Sequence, residues 1–161
     1  MMTAITGDCR EVLKNNKDGY FTAIVTDPPC GMGEGWNPIQ FLKQYDLLRL
    51  LHPKGVSIIL TNPRHGYFFI YNHVSTYHDC PSLETITEHG VRNVRPILAM
   101  VALVQLAAMT FVGNGGTGRM RVLDPFCGSG TILLAAQRLG ITAFGVDIDP
   151  ACTLMTKLRL L

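Results

Sequence analysis

The segment Arg121–Asp147 constrains the fold more than any other part of this 161-residue chain. A short apolar run, Arg121–Leu123, leads into DPFCGSGT (124–131), then a helical pattern from Ile132 to Leu139, Gly140, and a second strand-like run, Thr142–Val146, ending at Asp147. This is one βαβ unit with Gly140 as the helix cap, and it points to a parallel α/β sheet. Small residues fill the loop where backbone must approach a ligand. Asp147 falls at the end of the following strand, where a carboxylate can accept ribose hydroxyls. A lone Gly-x-Gly fits an ordinary tight turn, but Asp124 and Asp147 together favour an adenosine-containing cofactor.

The N-terminal part repeats the alternation. Thr3–Thr6 reads as a strand, Gly7-Asp8 as a turn, Cys9–Asn15 as a helix, and Thr22–Thr26 as a β-branched strand ending at Asp27. The next segment, PPCGMGEGWNP (28–38), is too irregular for helix or strand and long enough to be a functional loop around Trp36. Ile39–Leu51 has helical spacing, Pro53-Lys54-Gly55 predicts a turn, and Val56–Leu60 predicts a strand followed by the polar loop Thr61–Arg64. Residues 66–95 are the least legible: Tyr67–Tyr71 fits a strand or part of a helix, and no function attaches to the segment. Ile97–Val112 predicts a buried helix, because 16 residues interrupted by Gln105 fall short of the ~20 needed to span a bilayer. Gly113–Gly118 then reads as a helix-ending turn rather than a phosphate loop, since no strand precedes it.

With 47% hydrophobic residues the chain can bury one sizeable core, so a single domain is expected over residues 1–161. Within it, residues 1–65 and 96–161 are expected as two halves, catalytic and cofactor-binding on the motifs considered below and above, joined by a short variable segment, 66–95. Residues 1–90 carry seven Lys/Arg against nine Asp/Glu, and residues 91–161 seven against three. The basic C-terminal part suits a polyanion, although without a Lys/Arg run the contacts must be dispersed. Five cysteines, odd in number and without a CxxC pair, argue against a disulfide framework or a zinc site and for a reducing cytoplasm. The N-terminus lacks signal-peptide features, and the five histidines (52, 65, 73, 78 and 89) are scattered, four of them in predicted loops, with no metal-ligand pattern. Neither a metal nor a membrane is expected.

The strongest chemical signal outside the βαβ unit is TDPPCG (26–31). Asp27 is a fixed acceptor at a strand end, and Pro28 and Pro29 stiffen the turn that follows. Such an acceptor can take one hydrogen of an exocyclic amine while the Pro28 carbonyl takes the other. The nitrogen lone pair then faces an electrophilic methyl, so positioning and charge complementarity do most of the catalysis. The competing reading is a Pro-rich turn without chemistry.

Taken together, these blocks resemble the β-class, circularly permuted DNA amino methyltransferases. These act on adenine N6 or cytosine N4 and place a D/S/N-P-P-Y/F/W block before DPFxGSGT. Gly7-Asp8 is similar to the family's Gly-Asp turn, Leu51–Gly55 (LHPKG) to its L-x-P-G-G turn, and Arg95-Pro96 to the lead-in of its helix before the cofactor block. The resemblance covers about three quarters of the chain. It implies a Rossmann-like fold with a mostly parallel sheet and helices on both faces, S-adenosylmethionine as cofactor, DNA as partner, and a cytoplasmic protein of bacterial or phage origin. By the same resemblance Asp27, Pro28 and Pro29 are catalytic. Asp124, Phe126, Gly128, Ser129, Gly130 and Thr131 line the methionine side of the cofactor, Pro125 and Cys127 complete that loop, Asp147 holds the ribose, and Asp8 lies near the adenine.

The family's base-stacking aromatic after the two prolines is Cys30 here, which makes Trp36 in the same loop its expected substitute. Asp before the prolines favours adenine N6 over cytosine N4. Pro29-Cys30 also resembles the Pro-Cys of cytosine C5 methyltransferases, in which Cys30 would be the nucleophile, although their partner glutamate motif is not visible. A non-catalytic cofactor-binding subunit and an RNA or protein methyltransferase stay open as readings. The short segment 66–95 leaves little room for target recognition. Relaxed specificity, single-stranded targets, a homodimer or a partner subunit are therefore expected.

Overall fold

The structure is a computed structural model that describes residues 1–29, 37–60, 67–71, 74–78 and 97–161, with 67–71 and 74–78 described by their backbone. In chain order the elements are β1 (Met2–Thr6), α1 (Cys9–Val12), β2 (Phe21–Thr26), α2 (Pro38–Gln44), a 3-10 turn (Leu47–Leu50), β3 (Leu51–Leu60), β4 (Tyr67–Tyr71) and β5 (Val74–His78). These are followed by α3 (Ile97–Gly113), β6 (Arg121–Asp124), α4 (Thr131–Arg138), β7 (Thr142–Asp147) and α5 (Pro150–Arg159). The described strands join in one sheet of order β1-β7-β6-β2-β3-β4-β5. The first five run parallel, and β4 and β5 add an antiparallel hairpin at the β3 edge. This is the expected Rossmann-like α/β architecture, mostly parallel and covered on both faces.

The pattern of burial explains the layers. Every residue of β2 is buried, as a strand covered on both faces requires. On one face, α3 contributes Met100, Leu103, Val104 and Ala107 at helical spacing, and α4 adds Ile132, Leu133, Ala135 and Ala136. On the other face, Leu13 beside α1, Leu42 of α2, and Leu47 and Leu50 of the 3-10 turn close over Phe21, Ile24, Ile59 and Leu123. Truncating one such leucine to alanine costs about 2–5 kcal/mol by transfer and cavity terms together. Helix α5 packs on β1 and β7 next to α4. No helix among the described residues is long and apolar enough to cross a membrane.

Three expectations need correction. The helix expected over Ile39–Leu51 is split, because Asp46 adopts a left-handed conformation (φ 53°) and breaks α2 from the 3-10 turn. Pro53-Lys54-Gly55 is not a turn but part of β3, where the register jumps from Phe21↔Leu51 to Ala23↔Val56. A Cβ on Gly55 would stand 2.6 Å from the Thr22 carbonyl oxygen, so glycine is what lets the two backbones approach there. Helix α1 stops at Val12 rather than Asn15. His52 accordingly lies on β3, edge-on to Phe111, and His78 ends β5, so neither is a loop residue.

The pairing that matters most for the site is β2 with β6. Only Ala23↔Val122 and Ile24↔Leu123 are in register there, and a threonine laces each end. Thr22 Oγ1 accepts from Arg121 N (2.8 Å) and donates to Arg121 O (3.1 Å). Thr26 Oγ1 donates to Asp124 Oδ1 (2.7 Å). The segments TDPP (26–29) and DPFCGSGT (124–131) thus leave the same end of two neighbouring strands.

Candidate functional site

Parallel strands deliver their C-terminal ends to one rim, and four motif carboxylates lie on it. Gly7-Asp8 follows β1, Asp147 ends β7, Asp124 ends β6 and Asp27 follows β2. Between β2 and β6 the rim opens into a cleft of about 180 Å³ lined by Asp27, Met100, Asp124, Phe126, Cys127, Gly128, Ser129, Thr131 and Ile132. Open α/β sheets bind ligands at such a place, outside the carboxyl ends of the strands. A larger hollow of about 560 Å³ lies at the opposite end of the sheet, against Met2, Gln137, Gly140 and Lys157. No Asp or Glu lines it, and neither Asp27 nor the loop 124–131 reaches it.

The loop 124–131 owes its shape to local hydrogen bonds. Cys127 N donates to Val146 O, which hooks the loop onto β7, and Gly130 N donates to Cys127 O within the loop, both at 2.8 Å. Gly128 and Gly130 are left-handed (φ 50° and 79°). A Cβ on Gly128 would meet nothing within 4 Å, so that backbone faces open space, whereas one on Gly130 would strike Thr156 at 2.5 Å. Gly130 therefore shapes the loop against α5, and Gly128 is the residue whose backbone a ligand can approach. The first turn of α4 starts at Thr131 without a side-chain cap, leaving its N–H groups for another acceptor.

Electrostatics distinguish the carboxylates. Asp124 is buried, and although Thr26 Oγ1 and Phe126 N (3.2 Å) hydrogen-bond its Oδ1, desolvation dominates and pushes its pKa up to about 7. The neighbouring charges of Asp27 and Asp147 act in the same direction. Asp147 accepts Gly128 N at Oδ2 (2.7 Å) and Asp149 N at Oδ1 (2.9 Å), so it braces the loop at the strand end. Asp8 caps α1 through Arg10 N (2.9 Å), and its ion pair with the Arg10 guanidinium holds its carboxyl below the usual range. Burial raises the thiol pKa of Cys127, and that of Cys9 to about 11, so neither is a thiolate nucleophile at neutral pH.

Of the residues singled out from the sequence, Asp27, Asp124, Phe126, Cys127, Gly128, Ser129 and Thr131 are brought to the cleft. Pro28 and Pro125 are buried, Pro29 is exposed, and Gly130 supports the loop; none of these four lines the cleft. Asp8 and Asp147 lie further along the rim. Cys30 and Trp36 lie outside the described residues, as do Thr61–Arg64 and Arg95-Pro96. Among the described residues no group of His, Cys, Asp or Glu is arranged to hold a metal ion.

Several supporting residues escaped sequence reasoning. Arg159 Nη1 donates to Ser129 O (2.7 Å), Ser129 Oγ (3.0 Å) and Thr131 Oγ1 (3.3 Å), and Thr156 Oγ1 donates to Gly128 O (2.8 Å). Both belong to α5, which the sequence does signal: Asp149 caps it and Pro150 takes its first turn. A second feature is an aromatic wall. Phe126 packs on Phe41 (5.4 Å between centroids), Phe41 on Tyr45 (4.8 Å), and the Arg10 guanidinium lies 5.0 Å from the Tyr45 ring. It joins the loop 124–131 to the Asp8 turn along the rim.

Comparison with known proteins bears on the fold and on one segment of the sequence. Residues 118–157 match the model of a family described as DNA methylase. No curated protein sequence matches significantly. Among solved structures, the complex of M1.HpyAVI with SAM is similar with a TM-score of 0.68 at 17% identity, over 99% of this chain and 100% of that one. A Thermus thermophilus protein assigned as a DNA modification methylase gives 0.64 at 20% identity, over 99% and 94%. The cytosine-N4-specific PvuII DNA methyltransferase gives 0.58 at 13% identity, over 99% and 86%. The chain thus shares its fold with DNA methyltransferases over nearly its whole length, and its segment 118–157 is similar in sequence to the DNA methylase family.

Proposed function

We propose that the chain transfers a methyl group from S-adenosylmethionine to an exocyclic amine of a DNA base, adenine N6 in particular. One observation carries this reading: Asp27 and the loop 124–131, about a hundred residues apart in sequence, line the same cleft. When bound, S-adenosylmethionine supplies an electrophilic methyl on a sulfonium centre.

The residues present fit that cofactor. Asp124 offers a carboxylate to a ligand carrying positive charge, and Gly128 leaves open the space a side chain would fill. The cleft of about 180 Å³ is smaller than the ~300–1,000 Å³ of pockets that enclose whole small molecules. The cleft residues Asp124, Phe126, Gly128, Ser129 and Thr131 would hold the methionine end, and Asp147, Asp8 and the aromatic wall along the open rim would hold the nucleoside. Asp27 accepts one hydrogen of the target amine, and Pro28 and Pro29 keep the strand end rigid. Asp before the two prolines supports adenine. DNA is the proposed partner, held by dispersed cations rather than a basic tail. Cys30 and Trp36 belong to the loop expected to receive the base.

Nucleoside mass spectrometry tests the reading. Unmethylated DNA is incubated with S-adenosylmethionine and either the wild type or Asp27→Ala. N6-methyladenine from the wild type alone supports it, and N4-methylcytosine keeps the mechanism and changes the base. 5-Methylcytosine transfers the chemistry to Cys30. No product despite cofactor binding refutes DNA methylation by this chain alone.

A further inference from the structure

Thr26 directly precedes Asp27 and is fully buried at the end of β2. Its hydroxyl donates to Asp124 Oδ1 at 2.7 Å and so bridges 98 positions of sequence. The same Oδ1 accepts from Phe126 N at 3.2 Å. One oxygen of Asp124 is therefore gripped from two sides, by the strand that carries Asp27 and by the turn that opens the cofactor loop. The rotation of a carboxylate that also lines the cleft is fixed in this way. The backbone ladder between β2 and β6 supplies only two residue pairs, so this side-chain bond is the closing contact at the functional end of the seam.

Resting on the methyl-transfer reading, we propose that Thr26 is a positioning residue whose hydroxyl locks the Asp124 carboxylate to the strand end bearing Asp27. The donor side and the acceptor side of the cleft then keep one spacing. The requirement is for a donor, not for volume. Valine fills the same space without the hydroxyl, whereas serine keeps it. The hydroxyl also favours the ionised form of Asp124 against desolvation and against the charges of Asp27 at the end of β2 and Asp147 at the end of β7. The Cys127 thiol, beside them in the cleft, is held neutral by its burial.

Thr26→Val and Thr26→Ser, compared with the wild type, test this by two readouts: calorimetric titration with S-adenosylmethionine from pH 6 to 9, and the 13C titration of the Asp124 carboxyl in the cofactor-free protein. Thr26→Val is expected to weaken cofactor binding on the order of tenfold at neutral pH, the worth of one hydrogen bond to a charged group. It also moves the Asp124 midpoint upward, and Thr26→Ser restores both. Urea unfolding checks that the valine variant is folded, with Thr26→Ala as the donor-free replacement if it is not. A folded donor-free variant with wild-type affinity and midpoint overturns the proposal, as does a serine variant that restores neither. A wild type that binds no S-adenosylmethionine overturns the methyl-transfer reading and this proposal together. That outcome is distinct from a binding wild type matched by its valine variant, which overturns the proposal alone.

Discussion

Replacing Asp124 by asparagine is expected to strengthen the fold at alkaline pH while weakening the site. The folded carboxyl, with a pKa pushed up to about 7 by burial, holds its proton where the unfolded chain, near 3.8, has lost it. The native state thus binds more protons between about pH 4 and pH 7, and stability falls as pH rises through that window. Over the whole window the cost is roughly 4 kcal/mol at about 1.4 kcal/mol per pH unit, and between pH 5 and pH 8 roughly 2–3 kcal/mol of it appears. Asparagine keeps the acceptor that Thr26 Oγ1 and Phe126 N use, but it never ionises. Urea unfolding of both proteins at pH 5 and pH 8 should therefore show the wild type losing about 2–3 kcal/mol more than Asp124→Asn over that interval. In a chain of this size that corresponds to roughly 5–10 °C in Tm. Parallel pH profiles for the two proteins would refute the reasoning, since Asp124 would then not be a desolvated charge. In the same variant, affinity for S-adenosylmethionine should drop at pH 8, where the wild-type carboxylate is ionised.

Other perturbations separate chemistry from scaffolding. Asp27→Asn should lower single-turnover methyl transfer by about a hundredfold or more with cofactor affinity nearly unchanged, as expected for lost positioning at the amine. Gly130→Ala, which places a Cβ 2.5 Å from Thr156 in a left-handed conformation, should cost more stability in urea than Gly128→Ala, whose Cβ meets nothing. Gly128→Ala should instead show its effect as weaker cofactor binding by calorimetry. Arg159→Met removes three contacts to Ser129 and Thr131 and should raise the KM for S-adenosylmethionine on the order of tenfold with kcat largely kept.

What the sequence made legible was local. The unit from β6 to β7 could be read because its strand, small-residue loop and helix each carry their own signal within a few residues, and Gly140 marks its end with a left-handed φ of 67°. The same local rules misread Pro53-Lys54-Gly55. There the close approach of Gly55 to Thr22, contributed by another strand, overrides turn chemistry and carries β3 through. Ile39–Leu51 looked like one helix because its apolar period runs on through Tyr45-Asp46, and the left-handed Asp46 is a backbone state that period does not encode. In the site, Asp27, Asp124 and the glycines could be read as motif residues. Thr26, Arg159 and the aromatic wall could not, because each acts through a neighbour supplied by a different element.

The seam between β2 and β6 also sets a timetable for the newborn chain. At about 5–20 residues per second, the ribosome needs roughly 5–20 s to make the residues that separate Thr26 from Asp124. Through that interval β2 exists with one edge unsatisfied, although every one of its residues is destined for the interior. A bare apolar edge of that kind recruits other chains as readily as its own missing partner. Translation speed and chaperone supply then bear on the yield of native molecules.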